Sequence, residues 1–191
     1  MNFNEDYNGE NQEGSSFLQY TIDKNVRQST YEAFLKPISD RTNLTIRTKS
    51  FVKKIIIENG KAIGVEIYIG KNSSEKIFCN KEVILCAGAI QSPQLVKVSG
   101  IGPKEELKKF DIDLIKDLPA VGENLKDHVW TGTSDFSKVN GLNTVIKKTG
   151  FISNLLQYFR KKESLLNYSI IETTSFFKSS EEKKIPDLQF H

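Results

Sequence analysis

Residues 83–93 decide how the rest of this sequence is interpreted, and they read Val-Ile-Leu-Cys-Ala-Gly-Ala-Ile-Gln-Ser-Pro. The first five residues form an apolar run without polar alternation, which predicts a central strand covered on both faces. Ser92 followed by Pro93 is typical of a helix N-cap and a first helical residue. The stretch therefore predicts a buried strand that turns, through small residues, directly into a helix.

A corner of this kind can bind a ligand. Small residues let the backbone approach a ligand closely, and the free amides at a helix start can face anionic groups. Strand–turn–helix joins that contain glycine are also common in proteins that bind nothing there. The pattern alone therefore leaves both a ligand site and an ordinary structural join open.

The residues before this corner predict a β-hairpin. Residues 51–58 and 62–69 are rich in β-branched side chains, and Asn59-Gly60 between them suits a type I′ turn. Residues 71–74 predict the next turn, and residues 76–79 a third strand. Nearer the N-terminus, residues 1–16 predict a loop, and residues 21–38 a helix stopped at Pro37.

Further elements are predicted after the corner. Gly100 is placed to end the first helix, and a second helix is expected from Pro103, with acidic residues early and lysines late. Residues 112–115 predict a short strand. Phe151, Leu155 and Phe159 recur at helical spacing, which predicts a helix packed on a sheet.

Composition excludes several classes of protein. The 191 residues carry 27 Lys and Arg against 24 Asp and Glu, and only four of the basic residues are Arg. A chain so poor in arginine argues against a nucleic-acid partner. No apolar run approaches the length of a membrane span, and the acidic, polar N-terminus does not predict a signal peptide. Cys79 and Cys86 lie in apolar runs, which predicts buried, inert thiols and no metal site.

Residues 88–102, which read Gly-Ala-Ile-Gln-Ser-Pro-Gln-Leu-Val-Lys-Val-Ser-Gly-Ile-Gly, resemble the second signature of the glucose-methanol-choline (GMC) oxidoreductases. The surrounding residues 82–85 and 122–128 resemble the same family, as do residues 6–9 and 186–191. The resemblance covers nearly the whole chain and is closest to the insect, glucose-dehydrogenase-like members.

This resemblance implies a mixed α/β (α+β) fold: part of an FAD-binding Rossmann-like domain plus part of an antiparallel-sheet substrate domain. Residues 1–20 would be an N-terminal loop, residues 21–130 the partial FAD-binding domain and residues 131–191 the start of the substrate domain. Residues 164–177 resemble a strand region of that domain. There, Tyr168, Ser169, Ile170 and Ile171 replace the small residues expected beside Glu172.

The implied activity is oxidation of a small-molecule alcohol or sugar by an FAD-dependent dehydrogenase or oxidase. Hydride would pass to the flavin while a histidine takes the hydroxyl proton. Substrate identity and electron acceptor stay open, because pocket residues set them and not the fold. Relatives are often secreted, yet this sequence carries no export signal.

Six residues are implied to contact the cofactor. Val52 matches a valine whose backbone meets the adenine, although an ordinary strand valine explains it as well. Ala87, Gly88 and Ala89 would lie along the cofactor where bulk is excluded. A loop near the flavin would contribute two more, Asn124 and His128, although His128 is equally explained as a surface or capping histidine.

Two parts of the family pattern are missing from these 191 residues. No Gly-x-Gly-x-x-Gly fingerprint occurs, and His128 and His191, the two histidines, stand outside a catalytic context. No catalytic or metal-binding residue is therefore assigned. We expect an internal fragment that alone neither retains FAD nor oxidises alcohol. The alternative is a non-catalytic descendant that acts as a binding or interaction module.

Overall fold

The computed structural model describes residues 2–24, 26–70, 73–132, 150–160 and 171–191, together with residues 138 and 147. The chain divides into two units: a terminal unit, Met1–Leu44 with Thr133–His191, and a central unit, Thr45–Gly132. Each unit holds its own three-stranded antiparallel sheet. This combination of helices and antiparallel sheets confirms the predicted mixed α+β class.

The sheet of the central unit is the predicted hairpin with a third strand added. It consists of β4 (Val52–Glu58), β5 (Lys61–Ile69) and β6 (Ser73–Phe78), in that order. The turn is confirmed, because Asn59 and Gly60 both have positive φ, at 50° and 75°. The third strand begins three residues earlier than predicted, so Ser73 and Ser74 belong to it and not to a turn; residues 71 and 72 lie outside the described residues.

Two helices and a small parallel pair follow in the same unit. Helix α1 spans Gly88–Val98, β7 is Ile101–Gly102, α2 is Lys104–Lys109 and β8 is Lys116–Asp117. Gly100 has a φ of 92° just after α1, and Pro103 is the N-cap of α2, both as predicted. The prediction for the start of α1 is wrong by five residues, because Gly88 already turns the chain into the helix at a φ of 87°. Pro93 therefore lies inside α1.

The predicted central strand at the start of residues 83–93 is not formed. Residues 82–86 pair with no strand among the described residues, and Ile84 is 77% exposed. Cys86 is exposed and Cys79 half-buried, so the prediction of two buried thiols is also wrong. The physical reason is that a central strand requires ladder partners on both sides, and no described strand lies beside this run.

The predicted strand at residues 112–115 is also displaced. The pairing occurs at β8, whose residues lie parallel to β7. Just before it, the Ile115 and Lys116 amides both donate to the Gly100 carbonyl, at 2.7 and 3.1 Å. Because β7 is only two residues long, the returning chain can pair only where it reaches that short partner.

The helix α1 is fixed to the open edge of β4 by one buried serine. The Ser99 hydroxyl donates to the Leu95 carbonyl at 2.6 Å and accepts from the Ile55 amide at 2.8 Å. The described core of this unit contains two fully buried apolar side chains, Ile67 on β5 and Leu107 on α2. These contacts fix the C-terminal end of α1, and the candidate site lies at its other end.

The terminal unit contains a sheet in the order β1 (Gly14–Phe17), β9 (Thr173–Phe177) and β10 (Leu188–Phe190). The loop predicted for residues 1–16 is therefore wrong at its end, since β1 finds a long-range partner that a local pattern does not reveal. Buried Tyr7 stacks on Phe176 with ring centroids 5.5 Å apart. Residues 164–170, predicted as strand region, lie outside the described residues.

The remaining elements of this unit are short. The helix predicted around Phe151 is formed as α3, Phe151–Phe159, but the predicted packing of its apolar face on a sheet is not seen among the described residues, because Phe151 is 58% and Phe159 71% exposed. The helix predicted for residues 21–38 is wrong over its first half, which forms β2 (Ile22–Asp23) paired with β3 (Val26–Arg27). Only Tyr31–Leu35 and Lys36–Ile38 are helical, as π- and 3-10 turns. Across the described residues, no helix combines the length and the apolar character needed to cross a membrane.

Candidate cofactor-binding site

The corner at residues 87–89 is open and uncapped. Ala87, Gly88 and Ala89 are all exposed, and a Cβ built on Gly88 would meet no atom within 4 Å. No side chain caps the N-terminus of α1, and no acidic residue lies in its first turn. The first amides of a helix have no partner within it, and its dipole favours a negative group there. The corner thus fits an anionic group resting on bare backbone.

A groove adjoins this corner along α1. Its volume is about 610 Å³, within the range of small-molecule pockets. It is lined by residues of α1, α2, the segment between α2 and β8, and the loop after β8: Ala89, Ile90, Pro93, Gln94, Lys97, Val98, Glu106, Leu107, Phe110, Ile112, Gly122, Glu123 and Leu125. Among the six predicted site residues, Ala89 lines this groove, and Asn124 lies in sequence between two lining residues. Val52, Ala87, Gly88 and His128 are not part of its lining.

Asn124 and His128 lie in the loop that follows β8. This loop turns tightly, since the Glu123 amide donates to the Ala120 carbonyl at 3.2 Å, and Asn124 has a φ of 58°. Both side chains are exposed. The His128 backbone amide donates to Asp127 Oδ1 at 2.8 Å, and its imidazole makes no hydrogen bond to the residues that the structure describes. His128 is therefore not held by a carboxylate or carbonyl in the way a built acid–base histidine is.

Val52 is half-buried at the start of β4, beside an irregularity in the strand. Val52 pairs with Ile67 and Lys54 pairs with Glu66, so Lys53 is an extra residue between two ladder positions. Such a bulge bends the strand and re-aims its side chains and backbone. The backbone implied to meet an adenine thus lies next to a local distortion of the sheet edge.

A buried carboxylate, which the sequence analysis missed, lies opposite this bulge. Glu66 on β5 is 7% exposed, and its Oε1 accepts from the Ser74 hydroxyl at 2.7 Å and from Lys53 Nζ at 2.9 Å. Lys54 Nζ lies 3.7 Å from its Oε2. The Ser74 hydroxyl, then the Lys53 ammonium, lower the pKa of Glu66 to about 2. The register of a two-residue hairpin at Asn59-Gly60 would place residue 53 opposite residue 66, but a shift between Ile56 and Ile57 makes Lys54 the partner instead. The turn could therefore have indicated a lysine beside Glu66, but not which residue pairs with it.

Comparison with known proteins gives one family match and many relatives. Residues 1–130 match the family model described as GMC oxidoreductase. The chain is 38% identical to the oxygen-dependent choline dehydrogenase of Photobacterium profundum, over 98% of this chain and 33% of that protein. It is 39% identical to an alcohol dehydrogenase [acceptor] of Pseudomonas putida, over 100% of this chain and 35% of that protein.

The fold has relatives among solved structures as well. An FAD-dependent oxidoreductase from Chaetomium thermophilum superposes with a TM-score of 0.70 and 26% identity, over 85% of this chain and 29% of that one. The chain thus spans about a third of the length of the curated relatives it matches. All six predicted cofactor residues lie within the part that the family model covers.

Proposed function

This chain belongs to the GMC oxidoreductase family, and from that premise we propose that it supplies part of the FAD site of an oxidoreductase acting on CH–OH groups. The observation that carries the proposal is the family match over residues 1–130, which includes the open corner at Gly88. FAD is the cofactor that the family implies. Bound FAD would supply the acceptor for hydride leaving a hydroxyl-bearing carbon.

Each of the six residues, all in the central unit, would contact a particular part of the cofactor. Ala87, Gly88 and Ala89 would hold the cofactor against bare backbone, and the uncapped amides of α1 would face its anionic part. The backbone of Val52 would meet the adenine. Asn124 and His128, exposed in one loop, would border the flavin. None of these residues is assigned a proton-transfer role.

The substrate class proposed is a small alcohol or sugar. Choline and alcohols, named for the two relatives, share a hydroxyl-bearing carbon. We extend this proposal to the insect, glucose-dehydrogenase-like subtype that the sequence analysis predicts, which would favour a sugar. A test is whether the enzyme that contains this chain reduces a dye with glucose in preference to choline.

A second candidate function is a non-catalytic binding module. One observation favours it: both histidines of the sequence are exposed, His128 in the loop after β8 and His191 just after β10. Transcript sequence on both sides distinguishes the candidates. An in-frame glycine fingerprint upstream and a histidine-containing segment downstream would support the enzyme, and stop codons on both sides would support the module.

The FAD proposal is tested by saturation-transfer NMR on the 191-residue chain, with millimolar FAD over micromolar protein. This method detects weak binding and reports adenine and flavin protons separately. We expect transfer to both ends of the cofactor, with a dissociation constant on the order of 1 mM, because only part of a site is present. Absence of transfer to either end would overturn the proposal.

Gly88→Ala and Gly150→Ala form a matched pair for this experiment. Both glycines have positive φ, 87° and 77°, both stand at a helix start, and neither has an atom within 4 Å of a built Cβ. The backbone strain is therefore similar, whereas only Gly88 lies at the proposed site. We expect Gly88→Ala to reduce the transfer and Gly150→Ala to leave it unchanged; equal effects would contradict the assignment of the corner.

Tight binding is a separate prediction. We expect the 191-residue chain to lose added FAD on gel filtration and to show no dye-linked alcohol oxidation. The reason is that these residues contain no glycine fingerprint to seat the pyrophosphate. Flavin absorbance across the protein peak measures retention, and a stoichiometric yellow protein with turnover would prove this prediction wrong.

A further inference from the structure

Lys97, in the last turn of α1, lies where several elements of the central unit meet. Its Nζ donates to both carboxylate oxygens of Glu106 on α2, at 2.8 Å each. The Lys97 side chain is 20% exposed and that of Glu106 39% exposed. This ion pair therefore joins the two helices in a partly buried position, unlike the more exposed pairs on the surface.

Two glycines make room for the Lys97 side chain. A Cβ on Gly102, in β7, would lie 3.0 Å from Lys97 Cγ. A Cβ on Gly122, in the loop after β8, would lie 2.9 Å from Lys97 Nζ and 3.0 Å from its Cε. Contacts this short are not tolerated by a real side chain without movement of the lysine. The stem of Lys97 therefore packs directly against the backbone of both segments.

These contacts connect the two parts of the proposed site. The N-terminal end of the helix that carries Lys97 is the corner at Gly88. The loop that contacts its ammonium carries Asn124, two residues after Gly122. Nine residues of α-helix separate Lys97 from Gly88, or about 14 Å. Lys97 is thus too far to touch a group at the corner, yet it fixes the helix and the loop relative to each other.

We propose that Lys97, held by Glu106, is a positioning residue that sets the distance between the Gly88 corner and the Asn124 loop for the flavin. This inference rests on the proposed FAD site. The flavin end of the cofactor depends on the ion pair, whereas the adenine end, at Val52 on β4, does not. An ordinary ion pair would instead stabilise the unit slightly and affect both ends alike.

The experiment applies the same saturation-transfer measurement to variants of the 191-residue chain. Lys97→Met and Glu106→Gln remove the ion pair while keeping similar volume, and Lys97→Arg keeps a cation that can bind a carboxylate with two donors. Lys36→Met is the matched control, because Lys36 pairs with Glu32 at 2.7 Å on the surface of the terminal unit. The readout is transfer to the flavin methyl protons relative to the adenine protons.

We expect Lys97→Met and Glu106→Gln to lower this ratio at least about fivefold, because displacement of a binding group by about 1 Å is costly. Lys97→Arg should restore the ratio to within about twofold of the unsubstituted chain, and Lys36→Met should leave it unchanged. An unchanged ratio in Lys97→Met, or no rescue by Lys97→Arg, would overturn the inference. Equal loss at both ends would also overturn it, since that is the signature of a purely structural role.

Failure of the proposed function gives a different result. If the unsubstituted chain shows no transfer to any FAD proton, the FAD site itself is refuted and the positioning role falls with it. If the unsubstituted chain binds both ends and the variants do likewise, only the role of Lys97 is refuted.

Discussion

Glu66 lies in an environment that its residue type does not predict. A glutamate on a strand is ordinarily solvated, whereas this one is 7% exposed and surrounded by one hydroxyl and two ammonium groups. Burial of a charge is costly unless partners satisfy it, and the bulge at Lys53 brings two lysines to the same carboxylate. A local defect in strand pairing is therefore coupled to a charge cluster, beside the proposed adenine contact.

Acid should weaken the central unit through Glu66. Its pKa is about 2 in the folded chain and near 4.5 without those partners. Because the folded-state pKa is the lower one, the stabilisation is present in full above about pH 4.5 and is lost as the pH falls towards 2. Urea midpoints followed by circular dichroism should therefore decline over this window, and Glu66→Gln should flatten that decline.

The control for this prediction is Glu58→Gln, which changes an exposed carboxylate at the end of the neighbouring strand. This substitution should leave the pH dependence as it is in the unsubstituted chain. If the urea midpoint of Glu66→Gln declines with falling pH as much as that of the unsubstituted chain, other carboxylates cause the acid sensitivity.

At the scale of elements, the sequence predicts an element well when the residues that stabilise it are close together along the chain. The β4–β5 hairpin and α3 follow from their own residues, because Asn59-Gly60 fixes the turn and apolar residues at helical spacing predict the helix. Strand β1 was missed because its partner β9 lies more than 150 residues away. The run at residues 83–87 was predicted as a strand from its apolar content, but a strand exists only with partners, and the described residues offer none.

Gly64 on β5 is required by the close approach of β6. A Cβ there would lie 2.2 Å from the Ile77 carbonyl oxygen and 2.9 Å from Phe78 Cα, both backbone atoms of the neighbouring strand. Gly64→Ala should therefore separate the strands and destabilise the central unit by about 2 kcal/mol or more. Thermal unfolding of the variant, followed by circular dichroism, measures this loss.

Gly60→Ala is the comparison for Gly64→Ala. A Cβ on Gly60 would meet nothing within 4 Å, and only its φ of 75° disfavours alanine, at a cost of about 1 kcal/mol. Gly64→Ala should therefore lower the melting temperature more than Gly60→Ala does. The reverse order would mean that the strands accommodate a methyl group without separating.

At the scale of the whole molecule, the mixed fold class predicted from the sequence is confirmed, whereas the six cofactor residues stay a prediction. The signature at residues 88–102 predicts a cofactor site at the corner, because the residue types of a motif reflect the chemistry of its site. It says nothing of the Lys97–Glu106 ion pair or of the Glu66 cluster. The ion pair joins two helices whose packing a single sequence does not specify. The hairpin register can place a lysine near Glu66, but it does not show that the carboxylate is buried.

The central unit exposes large apolar side chains around the same site. Ile84 is 77% exposed, Ile90 72%, Leu125 70% and Phe110 69%. Contiguous apolar surface and an unpaired extended run favour association with other chains. We therefore expect the isolated chain to bind a hydrophobic dye and to elute from gel filtration as mixed associated species.

Ile84→Lys should shift this elution towards the monomer, because a charge in the unpaired run opposes the pairing of chains through it. Ile46→Lys is the matched control: it introduces the same charge into the same unit at a residue that is 46% exposed and lies outside the run. Light scattering coupled to gel filtration measures the masses. If both variants shift the elution alike, net charge and not the unpaired run governs association. A monomeric unsubstituted chain that binds no dye would refute the expectation altogether.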